Sequence, residues 1–336
     1  MKALNMAMIG AGRMGQAHAR VLAGLAECRV SRVIDTSAEN ARRVAEELGA
    51  QASTLLEDAL EDPAVDAVVV TTPTPTHADV VEAAARAGKA IFVEKPVSDG
   101  LEAGRRVVQA VEQAGVPCQV GFQRRYDPAY RRAKEMIEHG ELGRVEGFRA
   151  VGRDPHPPSL DFLKTSGGLL LDMGIHDLDA ARFFVGEVAE VYAIGGALIE
   201  PELQHYGLFD TAVATLRFEG GAVGTLEVAL RTAYGYDIRT EVLGEKGRIH
   251  IERDRRPDLT LYDERGGNFD RPRNFEQRFP EAYAAEMVAF ARNLHAGRPP
   301  TPDVRDAWYS LQLAKAAQHA LETGQVVRVR EFGGAL

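Results

Sequence analysis

Short apolar runs alternate with amphipathic stretches through the first third of the chain. Residues 6–9 are apolar and lead into Gly10-Ala11-Gly12-Arg13-Met14-Gly15, after which the spacing predicts a helix to about residue 25. A second apolar run over 30–34 ends at Asp35, and residues 38–48 predict the next helix. The run 65–70 is apolar without alternation, as in strands covered on both faces. A proline-threonine loop over 71–76 precedes an alanine-rich helix that ends near Gly88. Residues 90–93 predict a strand closed by Glu94-Lys95-Pro96, then a helix over 101–113 and a strand over 118–121. Strand and helix in alternation imply parallel strands, right-handed crossovers and a doubly wound sheet.

Beyond Gly121 the pattern changes. A junction, Phe122-Gln123-Arg124-Arg125-Tyr126-Asp127-Pro128, precedes a helix over 129–138. From residue 145 onward the period is two, over 188–194, 211–218, 223–230, 238–243 and 248–251, with Glu219-Gly220-Gly221 as a hairpin turn. Two helices close the chain. Tyr283, Met287, Phe290 and Leu294 stripe the first, which Gly297-Arg298-Pro299 ends, and the second runs from about residue 302 to 323 with Thr301 as its cap. The expected fold class is α/β: a doubly wound domain over 1–121, then an α+β domain over 122–336 with a mostly antiparallel open sheet.

Composition narrows the function classes. A length of 336 residues fits two domains, and 45% apolar with 26% charged residues is ordinary for a soluble enzyme. The net charge of -9 leaves no basic surplus for nucleic acid. Cys28 and Cys118 lie far apart and make no ligand spacing, so a reducing compartment is expected. The first residues lack the pattern of a signal peptide, and no apolar run reaches the roughly 18–20 residues of a membrane span. A cytoplasmic, soluble protein is expected.

The chemistry begins at the glycine loop. Between a strand and a helix, Gly10 permits the tight turn, Gly12 admits a pyrophosphate to the backbone and Gly15 lets helix and strand pack closely. The helix start offers free N–H groups and a positive dipole end to phosphates. Asp35, at the end of the next strand, suits the adenosine ribose hydroxyls and repels a 2′-phosphate, and neither Thr36 nor Ser37 supplies a cation. The first domain is therefore expected to be a Rossmann domain that binds NAD in preference to NADP. As a bland alternative, Asp35 caps the helix that follows.

Lys95 stands at the carboxyl end of its strand, where open α/β sheets bind ligands, and suits a substrate hydroxyl or a developing oxyanion. An ordinary ion pair is its structural alternative. In Gly167-Gly168-Leu169-Leu170-Leu171-Asp172-Met173-Gly174-Ile175-His176-Asp177-Leu178-Asp179, Asp172 and His176 are four apart and share one face of a helix. His176 is the candidate general base and Asp172 its orienting partner. A surface pair, a satisfied core histidine, or a metal set of His176, Asp172 and Asp179 compete with this, but no dense ligand cluster accompanies the last, so no metal is expected. Arg124, Asp154 and Tyr236 are weaker candidates for substrate contact, beside Arg125, His156 and Tyr234.

These motifs, in this order over almost the whole chain, resemble the Gfo/Idh/MocA oxidoreductases. Within that family, residues 121–127, 234–238 and the Gln277-Arg278-Phe279…Ala282-Tyr283 segment are similar to the bacterial inositol 2-dehydrogenase branch. The resemblance implies NAD-dependent oxidation of a cyclitol hydroxyl, myo-inositol foremost, with Lys95, Asp172 and His176 as the catalytic set. It implies cofactor contacts at Gly10, Gly12, Arg13, Met14, Gly15, Asp35, Thr72, Pro73, Thr74, Glu94 and Lys95. It implies substrate contacts at Lys95, Arg124, Asp154, Asp172, His176 and Tyr236, and a homotetramer built by packing open sheet faces. Another inositol isomer or sugar is the nearest alternative substrate, and a nucleotide-sensing regulator without turnover is the alternative from a different class.

Overall fold

A computed structural model describes residues 3–252, 259–264 and 266–336. Its contacts divide the chain into two compact units, one of residues 1–126 with 281–311 and 336, the other of residues 127–280 with 312–335.

The first unit opens with β1 (Leu4–Ile9), α1 (Arg13–Ala23), β2 (Cys28–Ile34), α2 (Ala38–Leu48), β3 (Gln51–Ser53), α3 (Glu57–Leu60) and β4 (Ala67–Val70). It continues with α4 (His77–Arg86), β5 (Ala90–Glu94), α5 (Leu101–Ala114) and β6 (Cys118–Gly121). The strands pair in parallel in the order β3-β2-β1-β4-β5-β6, so the order reverses between β1 and β4. β4 and β5 are buried along their whole length, which is why their sequences run apolar without alternation. Capping chemistry sets several helix ends. The Ser37 hydroxyl accepts from the Asn40 N–H at 3.3 Å to start α2, and Gly49 ends it at φ +62°.

The second unit holds α6 (Pro128–Glu138), β7 (Val145–Arg153), α7 (Leu160–Thr165), α8 (Leu169–Asp172) and α9 (Ile175–Val185). β8 (Val188–Gly196), β9 (Thr211–Phe218), β10 (Val223–Ala229), β11 (Asp237–Gly244) and β12 (Gly247–Glu252) follow. A small hairpin, β13 (Leu261–Asp263) with β14 (Gly266–Asn268), and α10 (Phe275–Arg278) come next. The large sheet has the order β12-β11-β7-β10-β9-β8-β15, where β15 is Val327–Arg328, and only the β7–β10 pair is parallel. The predicted turn at Glu219-Gly220-Gly221 joins β9 to β10, with Gly221 at φ +89°. α6, α8 and α9 pack on one face of this sheet, and the alternation of β9 places Ala212, Ala214, Leu216 and Phe218 on that side.

Three expectations need correction. The boundary at residue 121 with everything beyond it in a second domain is not how the chain packs. α11 (Pro280–His295) sends Met287, Phe290 and Ala291 into the same core as β1, β4 and β5, so residues 281–311 belong with the first unit. The last helix, α12, is Val304–Thr323, and its cap is Asp303, whose carboxylate accepts from the Asp306 N–H at 2.9 Å, not Thr301. Asp172 and His176 do not share one regular helix: Asp172 closes α8 and His176 lies in the first turn of α9, with a break at Met173-Gly174. There the Gly174 N–H reaches back to the Leu169 carbonyl, and a Cβ on Gly174 would lie 2.9 Å from the Leu170 oxygen. The close approach explains the glycine.

Candidate active site

The glycine loop is built by fixed backbone contacts. Gly10 has φ +101°, and a Cβ on it would lie 2.7 Å from the Thr71 carbonyl carbon. A Cβ on Gly15 would lie 2.1 Å from the Gly10 oxygen, so α1 approaches β1 too closely for any side chain there. The Thr71 hydroxyl donates to the Gly10 carbonyl at 2.8 Å and pins the loop to the end of β4. Gly12 is the contrast: its missing side chain faces open space, with nothing within 4 Å. It caps α1 without a side-chain cap bond, and the first turn carries no acidic residue, so the positive dipole end of the helix meets that space. Arg13 is exposed and Met14 half-buried in that first turn.

Asp35 does more than cap a helix. One carboxylate oxygen accepts from the Ala11 N–H at 2.7 Å and the other from the Ser37 N–H at 2.8 Å, while Ser37 is the cap of α2. The carboxylate therefore ties the glycine loop to the end of β2 and keeps lone pairs for further donors. The loop, open space, helix start and half-buried carboxylate together fit a dinucleotide without a 2′-phosphate.

The loops after β4 and β5 lie at the same carboxyl edge. Thr72, Pro73 and Thr74 form the first, braced by the Thr76 hydroxyl at 2.8 Å from both the Thr72 hydroxyl and the Pro73 carbonyl. Lys95 follows β5 directly, half-buried, and the Lys95–Pro96 bond is cis. Sequence reasoning missed His77. One of its ring nitrogens lies 2.8 Å from the Thr72 carbonyl and the other 2.8 Å from the Pro96 carbonyl, so a buried imidazole bridges the two loops. Burial is the largest influence and holds the His77 pKa below its ordinary value, against the pull of the two carbonyls. Arg124, 3% exposed, lies in the short helical turn after β6. Arg125 pairs with Asp306 and is structural.

In the second unit, one end of the large sheet brings together Asp154, Tyr236 and the first turn of α9 with His176. β7 ends at Arg153 and β11 begins at Asp237, and these two residues are opposite each other in register. Asp154 and Tyr236 therefore flank one strand end. Their backbones are fixed by donation to the Ala229 and Pro272 carbonyls, at 2.9 and 2.8 Å. α9 packs against β7 at Gly152, where a Cβ would lie 2.7 Å from an Asp177 carboxylate oxygen, which brings the first turn of α9, His176 included, to the same end. Arg153, Tyr234 and Asp237 bond to one another there, so the Tyr234 hydroxyl is committed to Asp237 at 2.8 Å.

A model for an oxidoreductase family with an NAD-binding Rossmann fold matches residues 4–122, and a model for the GFO/IDH/MocA C-terminal domain matches residues 130–250. The chain belongs to the Gfo/Idh/MocA oxidoreductases. As a member it is an NAD-dependent dehydrogenase. A myo-inositol 2-dehydrogenase of Thermotoga maritima is 38% identical over 98% of this chain and 100% of its own. A scyllo-inositol 2-dehydrogenase (NAD(+)) of Bacillus subtilis is 38% identical over 96% of this chain and 95% of its own. The crystal structure of a scyllo-inositol dehydrogenase from Lactobacillus casei, with bound NAD(H) and scyllo-inositol, superposes with a TM-score of 0.93 at 30% identity, over 98% of this chain and 99% of its own. In this Gfo/Idh/MocA oxidoreductase, Gly12, Asp35 and the start of α1 are the groups that fit NAD.

Proposed function

We propose that this dehydrogenase oxidises a ring hydroxyl of an inositol, myo-inositol foremost, to the ketone. The observation that carries the reading is the Lys95 turn, which stands at the carboxyl edge of the same parallel sheet as the NAD-binding glycine loop. Bound NAD supplies the hydride acceptor. A ring nitrogen of His176 removes the hydroxyl proton, and Asp172 holds the imidazole and stabilises its cation. The Lys95 ammonium donates to the reacting oxygen and stabilises negative charge as the proton leaves. Arg124, Asp154 and Tyr236 hold the remaining ring hydroxyls. The B. subtilis relative favours a second reading, scyllo-inositol as the substrate, at the same identity as the myo-inositol relative.

The assembly is a homotetramer in which copies of the chain cover the open face of the large sheet. That face carries exposed Ile194 and Val213, and exposed Val223 and Leu243 line a depression of about 530 Å³ on it. A cytoplasmic location accords with the two thiols being unpaired and buried. His176→Ala and Lys95→Ala each lose at least about 10²-fold in kcat, or about 2.7 kcal/mol of transition-state stabilisation, while NAD still binds by fluorescence titration. Wild-type turnover in either variant would overturn its assignment.

A further inference from the structure

A buried trio of ionisable side chains lies beside the Lys95 turn, and the proposed reaction does not use it. His18 on α1, Glu94 at the end of β5 and Glu286 on α11 are 0%, 6% and 0% exposed. One nitrogen or oxygen from each lies within 4.8 Å of the others. His18 Nε2 and Glu94 Oε1 are 2.6 Å apart, and the other Glu94 oxygen accepts the Lys95 backbone N–H at 3.1 Å. Room for that carboxylate depends on Gly121, where a Cβ would lie 3.2 Å from all three of its atoms. Both carboxyl oxygens of Glu286 are buried with no hydrogen-bond partner among the described residues. The Glu286 main-chain carbonyl is anchored by the Gln119 side chain at 3.1 Å.

A bound metal ion is one use for such a trio. Two ligands held tetrahedrally at about 2.0–2.1 Å from one ion stand roughly 3.3 Å apart, so the direct His18–Glu94 hydrogen bond closes that arrangement. A protonated Glu286 beside the hydrogen-bonded His18–Glu94 pair suits it better. With His18 paired to Glu94, an ionised Glu286 would be a buried anion without compensation, at a cost of several kcal/mol, roughly.

We propose that Glu286 closes a buried polar network with His18 and Glu94 that positions Lys95, the three acting as positioning residues rather than catalytic ones. The proposal rests on the assignment of Lys95 above. Lys95 is then held on both sides, by Glu94 before it and by the His77–Pro96 contact after it. The ionisable groups facing Glu286 are Glu94 from β5 and His18 from α1. Tyr283 on its own helix stacks edge-on against His18, and β6 contributes only the neutral Gln119.

Burial first and the Glu94 charge second hold the Glu286 pKa well above the ordinary 4.5. Below that ordinary value Glu286 is protonated in both the folded and the unfolded chain, so folding carries no ionisation penalty there. Above it the unfolded chain ionises first, and stability is lost progressively as pH rises toward the raised folded value. Glu286→Gln mimics the protonated form and escapes this loss.

The test compares wild type, Glu286→Gln and Glu286→Ala for Tm, kcat and KM with NAD and inositol between about pH 5 and pH 9. The Tm advantage of Glu286→Gln over wild type should grow with pH. Glu286→Ala should lower kcat about tenfold with the KM for NAD unchanged, and Glu286→Gln should restore most of it. A Tm difference that does not vary with pH, a wild-type kcat in Glu286→Ala, or a stoichiometric metal ion in the purified enzyme would each overturn the proposal. Undiminished turnover in Lys95→Ala would instead overturn the lysine assignment, and the Tm comparison reads the network independently of turnover.

Discussion

Asp35 divides its two oxygens between the glycine loop and the cap of α2, so its charge is held in place before any cofactor arrives. Asp35→Asn keeps an acceptor for the Ala11 N–H and removes the charge that repels a 2′-phosphate. Removal of a repulsion of about 1.4 kcal/mol should narrow the NAD over NADP preference in kcat/KM by about tenfold. Steady-state kinetics with both cofactors measure this, and an unchanged ratio would contradict the role. Burial pushes the Cys28 thiol up to about 11 and raises Cys118 as well. Iodoacetamide at about pH 8 should therefore leave NAD reduction unaffected. The glycines, Asp35 and Lys95 were legible because each belongs to a local pattern set by strand ends and a helix start. His18, His77 and Glu286 were not, since each acts through a partner distant in sequence and no spacing announces it.

Among the elements, α11 shows what a hydrophobic stripe does and does not reveal. The stripe of Tyr283, Met287, Phe290 and Leu294 predicts a helix with one buried face, and α11 is that helix. It does not say which core receives the face. Phe290 stacks edge-on with Phe92 of β5, at 5.9 Å between ring centroids, inside the Rossmann unit. Phe290→Ala should cost about 3–5 kcal/mol in urea unfolding, the usual range for a fully buried phenylalanine. A loss under about 1 kcal/mol would show that α11 adds little to that core. The helical reading around Asp172 and His176 missed the boundary between α8 and α9. α9 is buried almost all round, Asp177, Asp179 and Arg182 included, so no polar face marks where it starts. Its break from α8 is set by the close approach at Gly174, which only the packed chain reveals.

At the scale of the whole molecule, the large sheet is covered by helices on one face and open on the other. Arg149, Glu190, Tyr192, Thr215, Arg217 and Glu241 share the open face with the exposed aliphatic residues. Val213→Asp would place a charge among them and should break the proposed tetramer into smaller species in sedimentation velocity, while Tm of the remaining fold changes little. A tetramer that persists would place the interface elsewhere. The alternation of β8 to β11 made this open sheet legible from sequence, whereas the allocation of residues 281–311 to the NAD-binding unit depended on long-range packing. The central proposal is the reaction. It is tested most directly by initial rates of NADH formation with myo-inositol, scyllo-inositol and a panel of aldoses, each with NAD and with NADP. The account predicts NADH from an inositol, myo-inositol foremost, at rates well above any aldose and with NAD well above NADP. No NADH from either inositol, beside turnover of an unrelated alcohol, would contradict it.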